Sequence, residues 1–215
     1  MQTLTTDKTI SLGAGVAAAI ATAVRAAPAK SPDEFIARIK SKDDSVRGAA
    51  WQGAAPYGEP AVKPLAATMA DDDFETARSA RRALWVIVRH AGRPGAAKEA
   101  RAVASELIAL LGNHPTAVRR EVLWMLSEIG SDDTIPPVAA LLSNPELREH
   151  AQGALMRLPG RKATAALKTA FAGAPEDFKF ALADALRKRG EKVPGYPSQK
   201  LVPSRATTVT QPPTG

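Results

Sequence analysis

Arginine and tryptophan alternate along one stretch of the chain at helical spacing. Within residues 74–91, Arg78, Arg82, Trp85 and Arg89 fall at i, i+4, i+7 and i+11, so a helix would carry them on one stripe. Guanidinium groups bind carboxylates and phosphates, and an indole ring stacks on cations or on bases. Such a stripe could hold an acidic peptide, a polyanion or a nucleic acid. The structural alternative is that tryptophan fills gaps between helices while arginine keeps its charged head in water.

The same pairing of a cation with tryptophan recurs in two further segments. Trp51 follows Arg47 by four positions, and Trp124 follows Arg120 by four positions. Residues four apart are neighbours on a helix surface, so each pair is expected on one face. These observations give eight candidate partner-binding residues: Arg78, Arg82, Trp85, Arg89, Arg47, Trp51, Arg120 and Trp124.

Residues typical of catalysis, metal binding and cofactor binding are scarce. The chain has no cysteine, which excludes disulfides, thiol chemistry and cysteine-based zinc sites. Its histidines lie far apart, without the spacing of metal ligands: His90, His114 and His150. The sequence contains no H-E-x-x-H segment, no G-x-S-x-G segment and no glycine-rich phosphate loop. We therefore expect no catalytic residue, no metal and no cofactor.

The elements that would position these side chains follow from a repeat. A small polar or acidic residue, an apolar–basic pair and an alanine-rich apolar run recur about every 30 residues. The basic members are 31, 41, 29 and 31 positions apart: Arg47, Arg78, Arg119, Arg148 and Lys179. A period in this range is the signature of a solenoid, in which each unit buries its apolar face against its neighbours.

Each repeat is predicted to be a helical hairpin. The predicted helix pairs are 32–42 with 45–57, 60–70 with 74–91, 96–111 with 116–129, 134–142 with 146–158, and 162–172 with 176–189. Apolar anchors begin the second helices: Val46, Ala77, Val118, Leu147 and Phe178. Glycine near the ends of these helices predicts left-handed caps, as at Gly130 and Gly190. The second helices are expected to line the concave side of the solenoid.

Residues 116–130, followed by residues 132–142, carry a recognisable pattern. An apolar–arginine pair, an alanine-rich or leucine-rich helix, an Ile-Gly stop, an aspartate turn, proline and paired leucines follow one another. This pattern resembles a HEAT-type repeat, and in particular the short variety named after phycobilisome lyases. The resemblance extends over residues 31–190 and implies an all-α fold. The implied architecture is an α-solenoid, a right-handed superhelix of about five HEAT-like helical hairpins.

The resemblance favours a scaffold over an enzyme. It implies a non-catalytic protein–protein interaction module or an assembly subunit of a larger complex. The alternative is a solenoid that binds nucleic acid through the arginine and tryptophan stripe. A third possibility, also implied by the resemblance, is a lyase or a DNA glycosylase, for which Glu121 and Glu128 near Trp124 are the candidate carboxylates.

Composition and the two ends of the chain complete the prediction. The net charge is +7, and the termini carry +2 each, which leaves the repeat region only mildly basic for a nucleic-acid-binding protein. Residues 1–30 are predicted to be an alanine-rich capping helix, which favours the cytoplasm, or a cleaved signal peptide, which implies export to a periplasm. Their apolar run is too short for a membrane span. Residues 191–215 are rich in proline and threonine and are predicted to be extended or disordered.

Overall fold

Ten α-helices in the described part of the chain form five consecutive hairpins. The computed structural model describes residues 31–198. The helices are α1 (Pro32–Ile39), α2 (Asp44–Gln52), α3 (Val62–Thr68), α4 (Phe74–Ala91), α5 (Ala97–Ala109), α6 (Thr116–Ile129), α7 (Ile135–Ala140), α8 (Arg148–Arg157), α9 (Arg161–Gly173) and α10 (Glu176–Lys188). Each odd-numbered helix packs against the even-numbered helix that follows it.

The hairpins stack in chain order. Helix α2 packs on α4, α4 on α6, α6 on α8 and α8 on α10, and the odd-numbered helices α3 and α7 pack on α5 and α9. A stack in which each unit contacts mainly its neighbours is an α-solenoid. The predicted all-α repeat fold is therefore confirmed. We call the solvent-facing side of α2, α4, α6, α8 and α10 the B face.

One continuous core runs through the stack. Four of the five even-numbered helices, α4, α6, α8 and α10, bury equivalent leucines: Leu84, Leu126, Leu155 and Leu186. Eight residues before these leucines lie Thr76, Val118, Leu147 and Phe178, which are also buried. The predicted anchor Ala77 is therefore wrong by one residue, because Thr76 is only 4% exposed and Ala77 is half-buried. The predicted anchor Val46 is also wrong, because its side chain is exposed. With this register, Arg78 corresponds to Arg120 and Arg82 corresponds to Trp124.

Side-chain caps and prolines decide where the helices begin and end. The side chains of Ser31, Asp43 and Asp73 accept hydrogen bonds from backbone N–H groups in the first turns of α1, α2 and α4. The predicted helix at 134–142 is instead a short α-helix between two 3-10 turns, Asp132–Thr134 and Leu141–Ser143. The predicted helix at 45–57 likewise ends at Gln52.

Gly130 ends α6 for a steric reason. Its φ of −66° lies outside the left-handed region, so the predicted left-handed cap at this position is wrong. A Cβ atom here would lie 2.5 Å from the Leu126 carbonyl oxygen and 2.7 Å from Cδ2 of Leu158. Glycine is required because the chain passes close to the next hairpin. Gly190, with a φ of +84°, does adopt the predicted left-handed region.

Arg189 ties the last hairpin to the one before it. Its Nη1 atom donates to the carbonyl oxygens of Leu155, Met156 and Leu158, at 3.1, 2.9 and 2.6 Å. Its Nη2 atom donates to the carbonyl oxygen of Gly160 at 2.5 Å. These carbonyls lie at the C-terminal end of α8, where a helix has no intrahelical donors left. The guanidinium group therefore caps α8 from the neighbouring repeat.

The first part of the predicted tail packs on the last hairpin. Tyr196 meets Phe171 and Phe180 edge-on, with ring centroids 5.1 and 5.2 Å away, and its hydroxyl donates to Glu176 at 3.1 Å. The predicted segment 1–30 and residues 199–215 lie outside the described residues. Within residues 31–198, every helix is too short or too polar to cross a membrane.

Candidate functional site

The predicted stripe on α4 pairs with tryptophans from two repeats. The Cζ atom of Arg82 lies 5.1 Å from the centroid of the Trp51 ring, which belongs to α2 in the preceding hairpin. The Cζ atom of Arg89 lies 5.2 Å from the centroid of Trp85 in the same helix. A cation over an aromatic face within about 6 Å is attracted by the ring quadrupole. The structure thus brings these four predicted residues together as two stacked pairs, of which one crosses a repeat boundary.

Trp85 also connects α4 to α6. Its indole Nε1 donates to Oε1 of Glu121 at 2.5 Å, and Nη1 of Arg81 lies 3.9 Å from Oε2 of the same carboxylate. Trp51 and Trp85 are half-buried and pack against the core. These two tryptophans therefore fill space between helices, as expected under the structural alternative.

Trp124 differs from the other two tryptophans. It is 57% exposed on α6, and the guanidinium of Arg157 from α8 lies 5.9 Å from its ring centroid. An exposed indole at the centre of a surface leaves a large apolar area in water. Such residues are enriched among the binding hot spots of protein interfaces.

The structure places Arg47 away from the surface. Its side chain is buried, with 7% exposure for the residue. It donates to the Ser41 carbonyl at 2.7 Å and to the carboxylate of Asp44, and its Nη2 lies 3.9 Å from Glu75 in the next repeat. Arg148 makes the equivalent contact with Asp177 at 2.6 Å. Arg47 therefore joins repeats and is not part of the candidate site.

Several arginines on the B face lack a carboxylate partner among the described residues. Arg82, Arg89 and Arg120 are exposed, and none of them forms an ion pair there. Arg120 donates through Nε and Nη2 to the Glu146 carbonyl oxygen, at 3.2 Å for both atoms. Arg78 is paired with Glu75 at 2.8 Å. The B face thus presents positive charge that its own carboxylates do not neutralise.

Two cavities adjoin on the B face. Cavity I, of about 450 Å³, lies between α4 and α6, and its walls include three arginines and one glutamate: Arg78, Arg81, Arg120 and Glu121. Cavity II, of about 290 Å³, lies between α6 and α8 and has largely apolar walls: Trp124, Gly153, Ala154 and Met156. His150 belongs to the wall of both cavities.

His150 lies at the junction of the two cavities. Burial, and then the charge of Arg120, lower the pKa of His150 below its ordinary value. Its Nδ1 atom is buried and has no hydrogen-bond partner within the described residues. The same holds for Nε of Arg78 in the wall of cavity I.

Sequence reasoning found the arginine stripe and missed three residues of the cavity walls. Arg81, His150 and Gly153 were not among the candidates, because their role depends on how neighbouring helices stack. Of the two candidate carboxylates, Glu121 binds Trp85 and Glu128 forms an ion pair with Arg157. The sequence signals for cavity II were Trp124 and the glycine in the middle of α8.

The stacked helical hairpins define a class of protein, the α-solenoid repeat proteins. A family model described as HEAT repeats matches residues 99–187, the last three hairpins. No curated protein matches the sequence.

Solved structures of repeat proteins are similar to the chain at low identity. An engineered protein from a structural genomics consortium is 19% identical, with 73% of this chain and 78% of that chain covered and a TM-score of 0.39. A designed armadillo repeat protein in complex with the peptide (KR)4 is 16% identical, with coverages of 83% and 95% and a TM-score of 0.43.

Proposed function

We propose that this protein is a non-catalytic scaffold that binds an acidic segment of a partner protein on its B face, as a subunit of a larger assembly. The observation that carries the proposal is the group of exposed arginines without carboxylate partners, Arg82, Arg89 and Arg120, beside the exposed ring of Trp124. Arginine and tryptophan are the residue types that most often dominate binding energy at protein interfaces.

The stacking of the arginines supports the same function. Arg82 lies over Trp51 and Arg89 lies over Trp85, so both guanidinium groups are positioned before any partner arrives. A side chain that is already positioned loses less conformational entropy when it binds. The B face therefore offers fixed cations on a rigid scaffold, which suits recognition of carboxylates.

Nucleic acid is the second candidate partner, and the same unpaired arginines together with Trp124 favour it. The carboxylates interspersed on the B face argue for a protein partner. Glu75, Glu121, Glu128 and Glu149 lie among the arginines and would repel a continuous line of phosphates. A partner with separated carboxylates meets less repulsion. The lyase or glycosylase alternative gains no support, since Glu121 and Glu128 are both occupied by contacts.

Charge reversal on the B face tests the proposal. The double variant Arg82→Glu/Arg89→Glu is compared with the matched control Arg101→Glu/Arg161→Glu, which reverses two exposed arginines on the odd-numbered helices α5 and α9. Each tagged protein captures partners from the native source, with and without nuclease, and the captured proteins are quantified by mass spectrometry. Circular dichroism and thermal melting establish that all variants fold.

We expect the B-face variant to lose partners that the wild type and the control retain, whether or not nuclease is present. Loss of the partners on nuclease treatment alone would assign the B face to nucleic acid. In that case affinity would also fall log-linearly with salt, by about 0.9 log units per neutralised phosphate and per log unit of salt. Equal recovery by the folded B-face variant and the control would refute binding through this face.

A further inference from the structure

Gly153 has no structural explanation within the fold. It lies in the middle of α8 (Arg148–Arg157), where glycine is a poor helix former compared with alanine. A Cβ atom built on Gly153 would meet no atom within 4 Å, so packing does not require a glycine. The missing side chain keeps the wall of cavity II open beside Trp124. The glycine thus preserves a space that the solenoid itself does not fill.

The chemistry of cavity II fits an apolar side chain. The exposed ring of Trp124 forms one wall, and Met156 and Ala154 contribute further apolar surface. Burying such surface against an aliphatic or aromatic side chain removes both from water. Two polar groups of the wall are already engaged, because Ser127 Oγ donates to the Trp124 carbonyl oxygen at 2.7 Å and Arg157 is paired with Glu128.

The chemistry of cavity I fits a carboxylate. Its walls carry three guanidinium groups, those of Arg78, Arg81 and Arg120, and one carboxylate, that of Glu121, which accepts a hydrogen bond from Trp85. Arg78 is paired with Glu75 and Arg81 lies 3.9 Å from Glu121, so Arg120 supplies the guanidinium without a carboxylate partner among the described residues. Charge-assisted hydrogen bonds from guanidinium to carboxylate are among the stronger polar contacts in proteins.

From these two cavities we propose that the B face binds an extended partner segment at two points, with an aspartate or glutamate in cavity I and an apolar side chain in cavity II. This inference rests on the proposed function and specifies its ligand. The cavities lie in neighbouring grooves between α4, α6 and α8. Packed helices are about 8–10 Å apart. A polyproline II-type extended chain advances about 3.1 Å per residue and points every third side chain to the same side, so the two side chains are about three residues apart.

The ligand prediction is tested by NMR titration with synthetic peptides. The probe is a short glycine–serine peptide that carries one glutamate and one leucine about three residues apart, a spacing set by the extended chain. Control peptides replace glutamate by glutamine, replace leucine by serine, or place the two side chains next to each other. We expect the probe to bind about tenfold more tightly than each control, because each control loses one of the two anchoring contacts and a tenfold change corresponds to about 1.4 kcal/mol.

A matched pair of glycine variants tests the position of the apolar side chain. Gly153→Leu fills cavity II with a side chain of the protein itself. Gly48→Leu makes the same change in the middle of α2, where a Cβ atom also meets nothing within 4 Å and where neither cavity lies. Both changes replace glycine by a better helix former, so both variants should fold. We expect Gly153→Leu to weaken probe binding about tenfold and Gly48→Leu to leave it unchanged.

The outcomes separate this inference from the proposed function. Acidic peptides that bind equally well with any spacing, with or without leucine, would overturn two-point binding and leave the acidic B-face partner standing. Equal effects of Gly153→Leu and Gly48→Leu on probe binding would also overturn it. Failure of the probe to bind at all would refute the two-point ligand. The proposed function is tested separately, and it is refuted only if the charge-reversed variant captures the same partners as its control.

Discussion

Replacing Arg189 by methionine tests whether the hairpins are held together by a cap that one repeat gives to another. Arg189 donates to four carbonyl oxygens at the end of α8 and to Oγ1 of Thr164 at 2.8 Å. The sequence explains the need for this contact. The usual donor to the Leu155 carbonyl would be the N–H group of residue 159, which is a proline and has none.

The expected loss follows from the number and kind of these hydrogen bonds. A hydrogen bond to a charged group contributes about 1.5–3 kcal/mol, and carbonyls left buried without a donor cost about 1–3 kcal/mol. Water can reach some of the released carbonyls, since the contact with Gly160 is exposed. We therefore take about two of the hydrogen bonds as lost without replacement by water, at about 1.5 kcal/mol each. On this basis Arg189→Met should lower the free energy of unfolding by about 3 kcal/mol. For a chain of this size that corresponds to a melting temperature lower by about 6–12 °C.

The assay is thermal and urea denaturation of wild type and variant, followed by far-UV circular dichroism. Lys188→Met is the matched control, because Lys188 is the neighbouring cation and makes only an exposed ion pair with Asp184 at 3.0 Å. Such a pair contributes under about 1 kcal/mol. If Arg189→Met destabilised the protein no more than Lys188→Met, the cap would be a surface contact and the reasoning would be wrong.

Three further predictions concern the core, the tail and the pH dependence. Val118→Asp buries a carboxylate between hairpins and should destabilise the fold by several kcal/mol, on the order of 3–5, in urea denaturation. Truncation after Gly190 should lower the melting temperature relative to truncation after Ser198, because the segment between them packs on the last hairpin. The hydrogen bond and charge of Lys42 hold the pKa of Asp73 well below its ordinary value. The folded state therefore gains stability from this carboxylate above about pH 4 and loses it as the pH falls further, so melting of Asp73→Asn should depend less on pH in the acid range.

The fold was largely predictable because its information is local and repeated. Leucines and alanines at helical spacing, repeated with a period near that of helical hairpins, dictate both the helices and their stacking. The helix Phe74–Ala91 was predicted with its observed bounds. The predictions that were wrong concern features that depend on contacts with neighbouring helices. The register of α4 depends on Thr76 meeting the adjacent helices, and the extended backbone at Gly130 depends on the approach of Leu158.

The candidate site was predictable only within single helices. The spacing of Arg82, Trp85 and Arg89 correctly placed them on one side of α4, yet Arg82 stacks on Trp51 from another hairpin. Whether a cation is buried or exposed is decided by the next repeat, so spacing alone left two roles open for Arg47, an ion pair with acidic residues and a contact with a partner, and the structure shows the ion pair. The spacing of residues within one helix does not reveal the spaces between helices. His150 could therefore not be assigned to the cavity walls from the sequence.

The contacts that stabilise the stack also position the B face. Trp85 and Glu121 join α4 to α6, while the pair Arg157–Glu128 joins α8 to α6, and these are the helices that enclose the two cavities. A ligand that spans both cavities can bind only when these hairpins are stacked in register. Binding must then stabilise the central junctions by mass action, and amide hydrogen exchange in α6 should slow on binding while exchange in α1 stays unchanged. A ligand that slowed both helices equally would not be spanning these junctions.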